Sequence, residues 1–185
     1  MFDLKYIFIF LQLCTLSCGI YSLAGSIPPH IKSIAIPLIE NQTSDFSLSE
    51  DLTDQIIEKF NESGILSIKD EKTAHSILNG TIKKITDGPY SYNKSESVSE
   101  YRYKVDVKIG WYDNINEKNI IEKNYSGFGA YGLSGDISTD GIDNDNDGKI
   151  DGDDDDEFGE PRSFAAGIAI SKIAEDILND IMTTW

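Results

Sequence analysis

Tyr101, Tyr103, Val105, Val107, Ile109 and Trp111 alternate with Arg102, Lys104, Asp106, Lys108 and Gly110. Successive side chains of a strand point to opposite faces, so this stretch predicts a strand dry on one face and wet on the other, the signature of an antiparallel sheet. A helix would scatter the same apolar residues around its circumference. The turn sequence "DNINEKN" follows, and residues 120–128 supply the returning partner strand. Such a sheet cannot stand alone, because its dry face needs a cover.

The cover is written on either side of it. Leu48, Leu52, Ile56, Ile57 and Phe60 recur at helical spacing, opened by a capping-box pair, Ser47 and Glu50, and stopped by Gly64. Ile170, Ile173, Ala174, Ile177, Leu178, Ile181 and Trp185 form a second apolar stripe, with Pro161 and Ser163 as start signals. Ahead of the first helix, Ile34, Ile36 and Leu38 alternate with Ser33, Ala35 and Pro37, a strand that Pro37 confines to a sheet edge or a strand end. Residues 65–68 form a short apolar run, residues 76–85 a strand ended by "DGP", and residues 90–99 a polar loop. The expected order is β-α-β-β-β-α. It defines an α+β class, a two-layer sandwich with two helices on one face of a mostly antiparallel four-stranded sheet, in a single domain over residues 31–185.

The formal net charge of −16 looks extreme until it is located. Residues 136–160 hold ten Asp and two Glu against one Lys, so −11 of the total sits in one short segment before the last helix. The rest of the chain has ordinary charge and no Lys/Arg cluster, which argues against a nucleic-acid partner. Within the segment, Asp143, Asp145, Asp147, Asp151 and Asp154 occupy positions 1, 3, 5, 9 and 12 of a calcium loop, with Gly148 at the sharp turn and the Lys149 carbonyl at position 7. Alternate carboxylates converge on one hard cation; Asp154, where a bidentate Glu is usual, shortens the reach. The expected cofactor is calcium in the weak extracellular class, with a dissociation constant on the order of 0.1–1 mM, and the competing expectation is a solvated acidic loop. The segment contributes almost no apolar surface, so it reads as an insertion into the domain.

The chain opens with Lys5 ahead of an apolar run over residues 6–16. That run falls well short of the ~20 residues that span a bilayer and suits a signal peptide over residues 1–17. Ser17, Cys18 and Gly19 fit a lipobox, although Thr15 and Leu16 depart from its usual pattern. Cleavage before Cys18 would leave a diacylated N-terminus and a lead over residues 18–30; the alternative is a soluble secreted chain cut near Ser17. Two acyl chains anchor a domain stably, where one holds only marginally.

Chemistry is absent from the pattern. "GFGAYG" places Gly127, Gly129 and Gly132 as a literal G-x-G-x-x-G, but carboxylates follow it instead of a helix N-terminus, so it reads as a flexible exit from the last strand. His30 and His75 lack ligand partners at metal spacing, no nucleophile motif appears, and the acidic segment offers no apolar pocket to raise a carboxyl pKa. No catalytic residue is expected.

The stretches "CGIYSLAGSIPPHIKSIAIPLIENQT", "LSEDLTDQIIEKF", "AHSILNGTIKKI", "SEYRYKVDVKIGWYD" and the closing helix together resemble the bacterial lipopolysaccharide-assembly lipoprotein family, LptE. The resemblance implies a non-enzymatic outer-membrane lipoprotein on the periplasmic side, lipid-anchored through Cys18, which plugs the lumen of the β-barrel LptD and assists lipopolysaccharide delivery. Lys94, Arg102, Lys104 and Lys108 are the cations available for lipopolysaccharide contact, and no motif chooses among them. The strand-helix opening also resembles the CsgG, LpoB and TolB N-terminal domains, which would imply a regulator of a cell-wall enzyme or a secretion component.

Overall fold

The alternating strand is the spine of the structure. A computed structural model describes residues 27–132, 143, 148–150 and 160–183. The elements run β1 (Ser33–Ala35), β2 (Glu40–Asn41), α1 (Leu48–Ser63), β3 (Ser67–Ile68), β4 (Ser76–Tyr92), β5 (Val98–Asp113), β6 (Lys118–Tyr131) and α2 (Pro161–Thr183). Tyr103, Val105, Val107, Ile109 and Trp111 of β5 are all 0–1% exposed and face the helices, which touch one another above them. The opposite face of the sheet has no helical cover among the described residues.

The sheet is mixed and has six strands, where four mostly antiparallel ones were expected. β4, β5 and β6 form the antiparallel meander, but β1 lies parallel to both β3 and β4, and β2 lies parallel to β4. The cause is α1: a strand that returns to its own sheet through a helix comes back parallel. The order β3-β1-β4-β5-β6 also puts β1 inside the sheet, not at its edge.

Pro37 leaves its mark by cutting the first strand in two. The five-residue step from Ala35 to Glu40 on one side matches a four-residue step from Ile77 to Thr81 on β4, so one residue is extra. That extra residue inverts the alternation: Leu38 is 61% exposed and Ile39 fully buried, contrary to the expected burial of Leu38. The broken ladder is repaired from α1. Ile39 N–H donates to Thr53 Oγ1 at 3.0 Å, and the Ser49 hydroxyl donates to the Ile39 carbonyl.

α1 ends as expected, with Gly64 at φ 61° and its N–H on the Phe60 carbonyl. Its capping box is not made. Ser47 is itself helical, and its hydroxyl turns to Asp45 Oδ1 at 3.3 Å, so Glu50 and Asp51 serve only as first-turn charges favourable to the helix dipole. β4 runs straight through "DGP" to Tyr92 and shortens the expected loop to a turn around residues 93–97. Beyond Ile82 no described strand lies on the outer side of β4, so the missing N–H of Pro89 is tolerated there.

The glycines of "GFGAYG" are not a flexible exit. Gly127 and Gly129 sit inside β6 opposite Val105 and Tyr103. A Cβ on Gly127 would stand 2.0 Å from the Ala169 carbonyl oxygen, and one on Gly129 2.3 Å from that of Ala165. They let the α2 backbone lie directly on the strand.

Candidate functional site

Among the described residues, nothing covers the outer face of the long meander. Register places its outward side chains in rows: Gly88, Arg102 and Ala130; Thr86, Lys104 and Phe128; Lys84, Asp106 and Ser126; Thr81, Lys108 and Asn124. Arg102 is the centre of this face. Its guanidinium stands 4.8 Å from the Tyr90 ring centroid and 5.4 Å from that of Phe128, and both rings are about half exposed. No described carboxylate pairs with it. A cation held by two ring faces keeps its in-plane N–H donors available to an outside acceptor.

The neighbouring cations are only loosely occupied. Lys104 Nζ lies 2.8 Å from Asp106 Oδ1 and Lys108 Nζ 2.5 Å from Glu122 Oε1, all partly exposed, and such pairs exchange readily with water or a stronger anion. Burial works to raise the Asp106 carboxyl, but hydrogen bonds from Lys104 and Ser126 outweigh it and hold the group below its usual range. The face can therefore receive anionic oxygens on a basic row and apolar or sugar rings on Tyr90 and Phe128.

Two polar clusters fix the ends of the sheet, and neither was foreseen. At one end His30 Nε2 lies 2.7 Å from Oδ2 of fully buried Asp113, which also accepts from Asn116 Nδ2 at 2.9 Å and, through Oδ1, from the N–H groups of Ile115 and Asn116. Burial pushes the Asp113 carboxyl up, yet these donors together bring it down to about 2. At the other end Arg162 donates to Asp87 Oδ2 at 2.8 Å, reaches Asp45 at 3.4 Å and lies 4.7 Å from the Tyr103 ring centroid. Tyr131 donates to Asp87 Oδ1 and Tyr103 to Asp45 Oδ2. Burial, then the hydrogen bond to the carboxylate, raises both phenols. Sequence spacing could not reveal pairs separated by 44 to 117 positions.

Of the anticipated site residues, Cys18, Asp145, Asp147, Asp151 and Asp154 lie outside the described residues. Asp143 and Lys149 are described: Asp143 Oδ2 accepts from Gly148 N–H at 3.0 Å, Gly148 has φ 95°, and Lys149 is exposed. Among the described residues no group of three or more His, Cys, Asp or Glu is placed to hold a metal ion. Lys94 is exposed at the β4–β5 turn, away from the β5 face that Arg102, Lys104 and Lys108 share.

The fold is thus a two-layer α+β domain with one sheet face sealed by helices and, among the described residues, one uncovered face that mixes basic and aromatic side chains. The chain belongs to the LptE lipopolysaccharide-assembly family, whose sequence model matches residues 31–184. No curated protein matches it significantly. Among solved structures, a Xanthomonas campestris protein of a family with no assigned function aligns over 85% of this chain and 90% of its own, at 6% identity and TM-score 0.54. A minor lipoprotein from Acinetobacter baumannii aligns over 84% and 93% at 15% identity and TM-score 0.47. An uncharacterised lipoprotein B from Nitrosomonas europaea aligns over 89% of each chain at 10% identity and TM-score 0.46. At these identities the Xanthomonas likeness speaks to fold alone.

Proposed function

We propose that the protein is a non-enzymatic outer-membrane lipoprotein, anchored through Cys18 on the periplasmic side, that plugs an LptD-type barrel and assists lipopolysaccharide assembly. The observation that carries this reading is the family match over nearly the whole folded domain. The geometry agrees with it in one respect: a lumen plug needs shape and polar surface, and the open face of β4, β5 and β6 offers both. Phosphates of the lipid would fall on the row of Arg102, Lys104 and Lys108, with acyl or sugar surface on Phe128 and Tyr90.

Solubilising outer membrane in mild detergent and purifying through a tag on this chain tests the proposal. A large barrel at one-to-one stoichiometry is the expected companion; a cell-wall synthase or a self-assembled ring would overturn it. Replacing Cys18 with Ser should abolish acyl labelling, and continued labelling would remove the anchor from the scheme.

Calcium in the acidic segment completes the proposal. The bond from Gly148 N–H to Asp143 Oδ2 and the positive φ of Gly148 suit positions 6 and 1 of a calcium loop, and Asp145, Asp147, Asp151, Asp154 and the Lys149 carbonyl would supply the other ligands. The cation would neutralise charge that otherwise repels lipid phosphates. Calorimetric titration should show saturable uptake that disappears in Asp143→Ala with Asp147→Ala; equal uptake by the double variant would dismiss the site.

A further inference from the structure

On the outer side of the helical layer, α1 and α2 flank an open groove of about 900 Å³. Phe164, Ile168 and Leu48 give it apolar walls, and Asp51 and Asp54 stand on its α1 side. Its two cations are already engaged: Arg162 with Asp45 and Asp87, Lys172 with Glu175 and Asp176. Asp51 and Asp54 have no partner among the described residues. The whole of α1 leans the same way, with Glu50, Asp51, Asp54, Glu58 and Glu62 against Lys59 alone.

A second, independent observation lies on α2. Gly167 occupies the helix interior, where Gly costs about 1 kcal/mol relative to Ala. Gly127 and Gly129 are explained by the α2 backbone pressed against them, but a Cβ on Gly167 would meet nothing within 4 Å. The fold has no steric need for this glycine. It lines the groove, and its missing side chain enlarges it.

We propose that this groove docks a cationic peptide segment of a partner protein, with Lys or Arg on the Asp51 and Asp54 side and a bulky apolar side chain against Gly167. Charge complementarity selects that occupant over an anionic lipid, which the same carboxylates would repel. The inference does not depend on the barrel reading, since it concerns the face opposite the open sheet.

The test uses the full mature chain in detergent, labelled with ¹⁵N and titrated with an amphipathic Leu/Lys peptide about two helical turns or longer. Saturable shifts should gather at Ala166, Gly167, Ile168, Ser171 and Asp51, while a Leu/Glu peptide of equal length binds nowhere. Gly167→Leu fills the groove without changing charge, and open space at that position lets the helix form; it should weaken binding at least tenfold with the resonances of β5 unmoved. Asp51→Asn with Asp54→Asn, both exposed, should weaken it several-fold as a control that leaves packing alone. Binding undiminished in Gly167→Leu, as plain attraction to residues 136–160 would give, overturns the proposal, as does the absence of binding or shifts centred on the open sheet face.

Discussion

The two faces of the β4–β5–β6 meander are made from alternate residues of the same strands, yet they are built to opposite tolerances. On the inner face, Tyr103, Val105, Val107, Ile109 and Trp111 are shut away, and β6 narrows to glycine where the α2 backbone lies on it. On the outer face, Arg102, Lys104 and Lys108 hold partners that water can replace. The difference separates two tolerances: the inner face holds the fold together, and the outer face can be altered without disturbing that packing.

The largest effect that would sharpen this contrast is expected at Gly127. A Val there drives a Cβ into the Ala169 carbonyl, and because the obstacle is backbone the helix itself must lift. Destabilisation of roughly 3–5 kcal/mol is expected, read as a lower urea midpoint at unchanged slope. Gly110, in the neighbouring β5 but with open space at its Cβ position, should accept Val within about 0.5 kcal/mol. Equal costs at the two glycines would erase the distinction.

Next comes the buried carboxylate at the end of the inner face. Asp113 sits near pKa 2 in the fold and near its ordinary value in the unfolded chain, so the folded state favours the ionised form. Its contribution is therefore complete above about pH 4 and lost as pH falls toward 2. A denaturant series across that window should show the wild type losing stability more steeply than Asp113→Asn, with the two curves converging at the acid end. Parallel curves would show that His30, Asn116 and the turn N–H groups do not hold a charge there.

A smaller effect is expected at the opposite end. Asp87 accepts from both Tyr131, at the end of β6, and Arg162, at the start of α2, so one carboxylate joins the two elements that bracket the acidic segment. Arg162 is partly exposed, so Asp87→Asn should cost only about 1 kcal/mol in thermal unfolding. Excising residues 140–157 and closing with a short Gly/Ser linker should leave a cooperative transition in the wild type, because the two elements are tied independently of what lies between them. A molten product would mean that the segment is part of the fold.

These clusters mark where sequence stops being informative. Period-2 alternation announced β5, and 3.6-residue stripes announced α1 and α2, because each pattern is a local consequence of burying one face. Parallel pairing of β1 was not legible: it follows from where α1 delivers the chain, and nothing in "SIA" records its neighbours. The exposed Leu38 and buried Ile39 depend on one extra residue beside Pro37, which periodicity reads through as noise. The glycines of β6 resembled a phosphate motif because spacing alone says nothing of what a missing Cβ makes room for. Arg102, Lys104 and Lys108 were visible as cations within an alternating strand; that Tyr90 and Phe128 flank Arg102 required the register of three strands.

The outer face should show the smallest effect on stability and a large one on company, and that pairing is the sharpest trial of the contrast. Arg102→Ala with Lys104→Ala removes one guanidinium held by two rings and one half-exposed ion pair, interactions each worth about 1 kcal/mol or less where solvent reaches them. The inner residues of β5 keep every neighbour, so the melting temperature should move by no more than a few degrees. Capture of lipopolysaccharide by the purified protein should fall at least tenfold, because two positive groups within one patch act together on closely spaced phosphates. The control is Lys59→Ala on α1, the loss of one surface cation from the other side of the molecule, which should leave capture unchanged. If the double variant captures normally while Lys59→Ala does not, the partner lies against the helices, and the open sheet is bare for another reason.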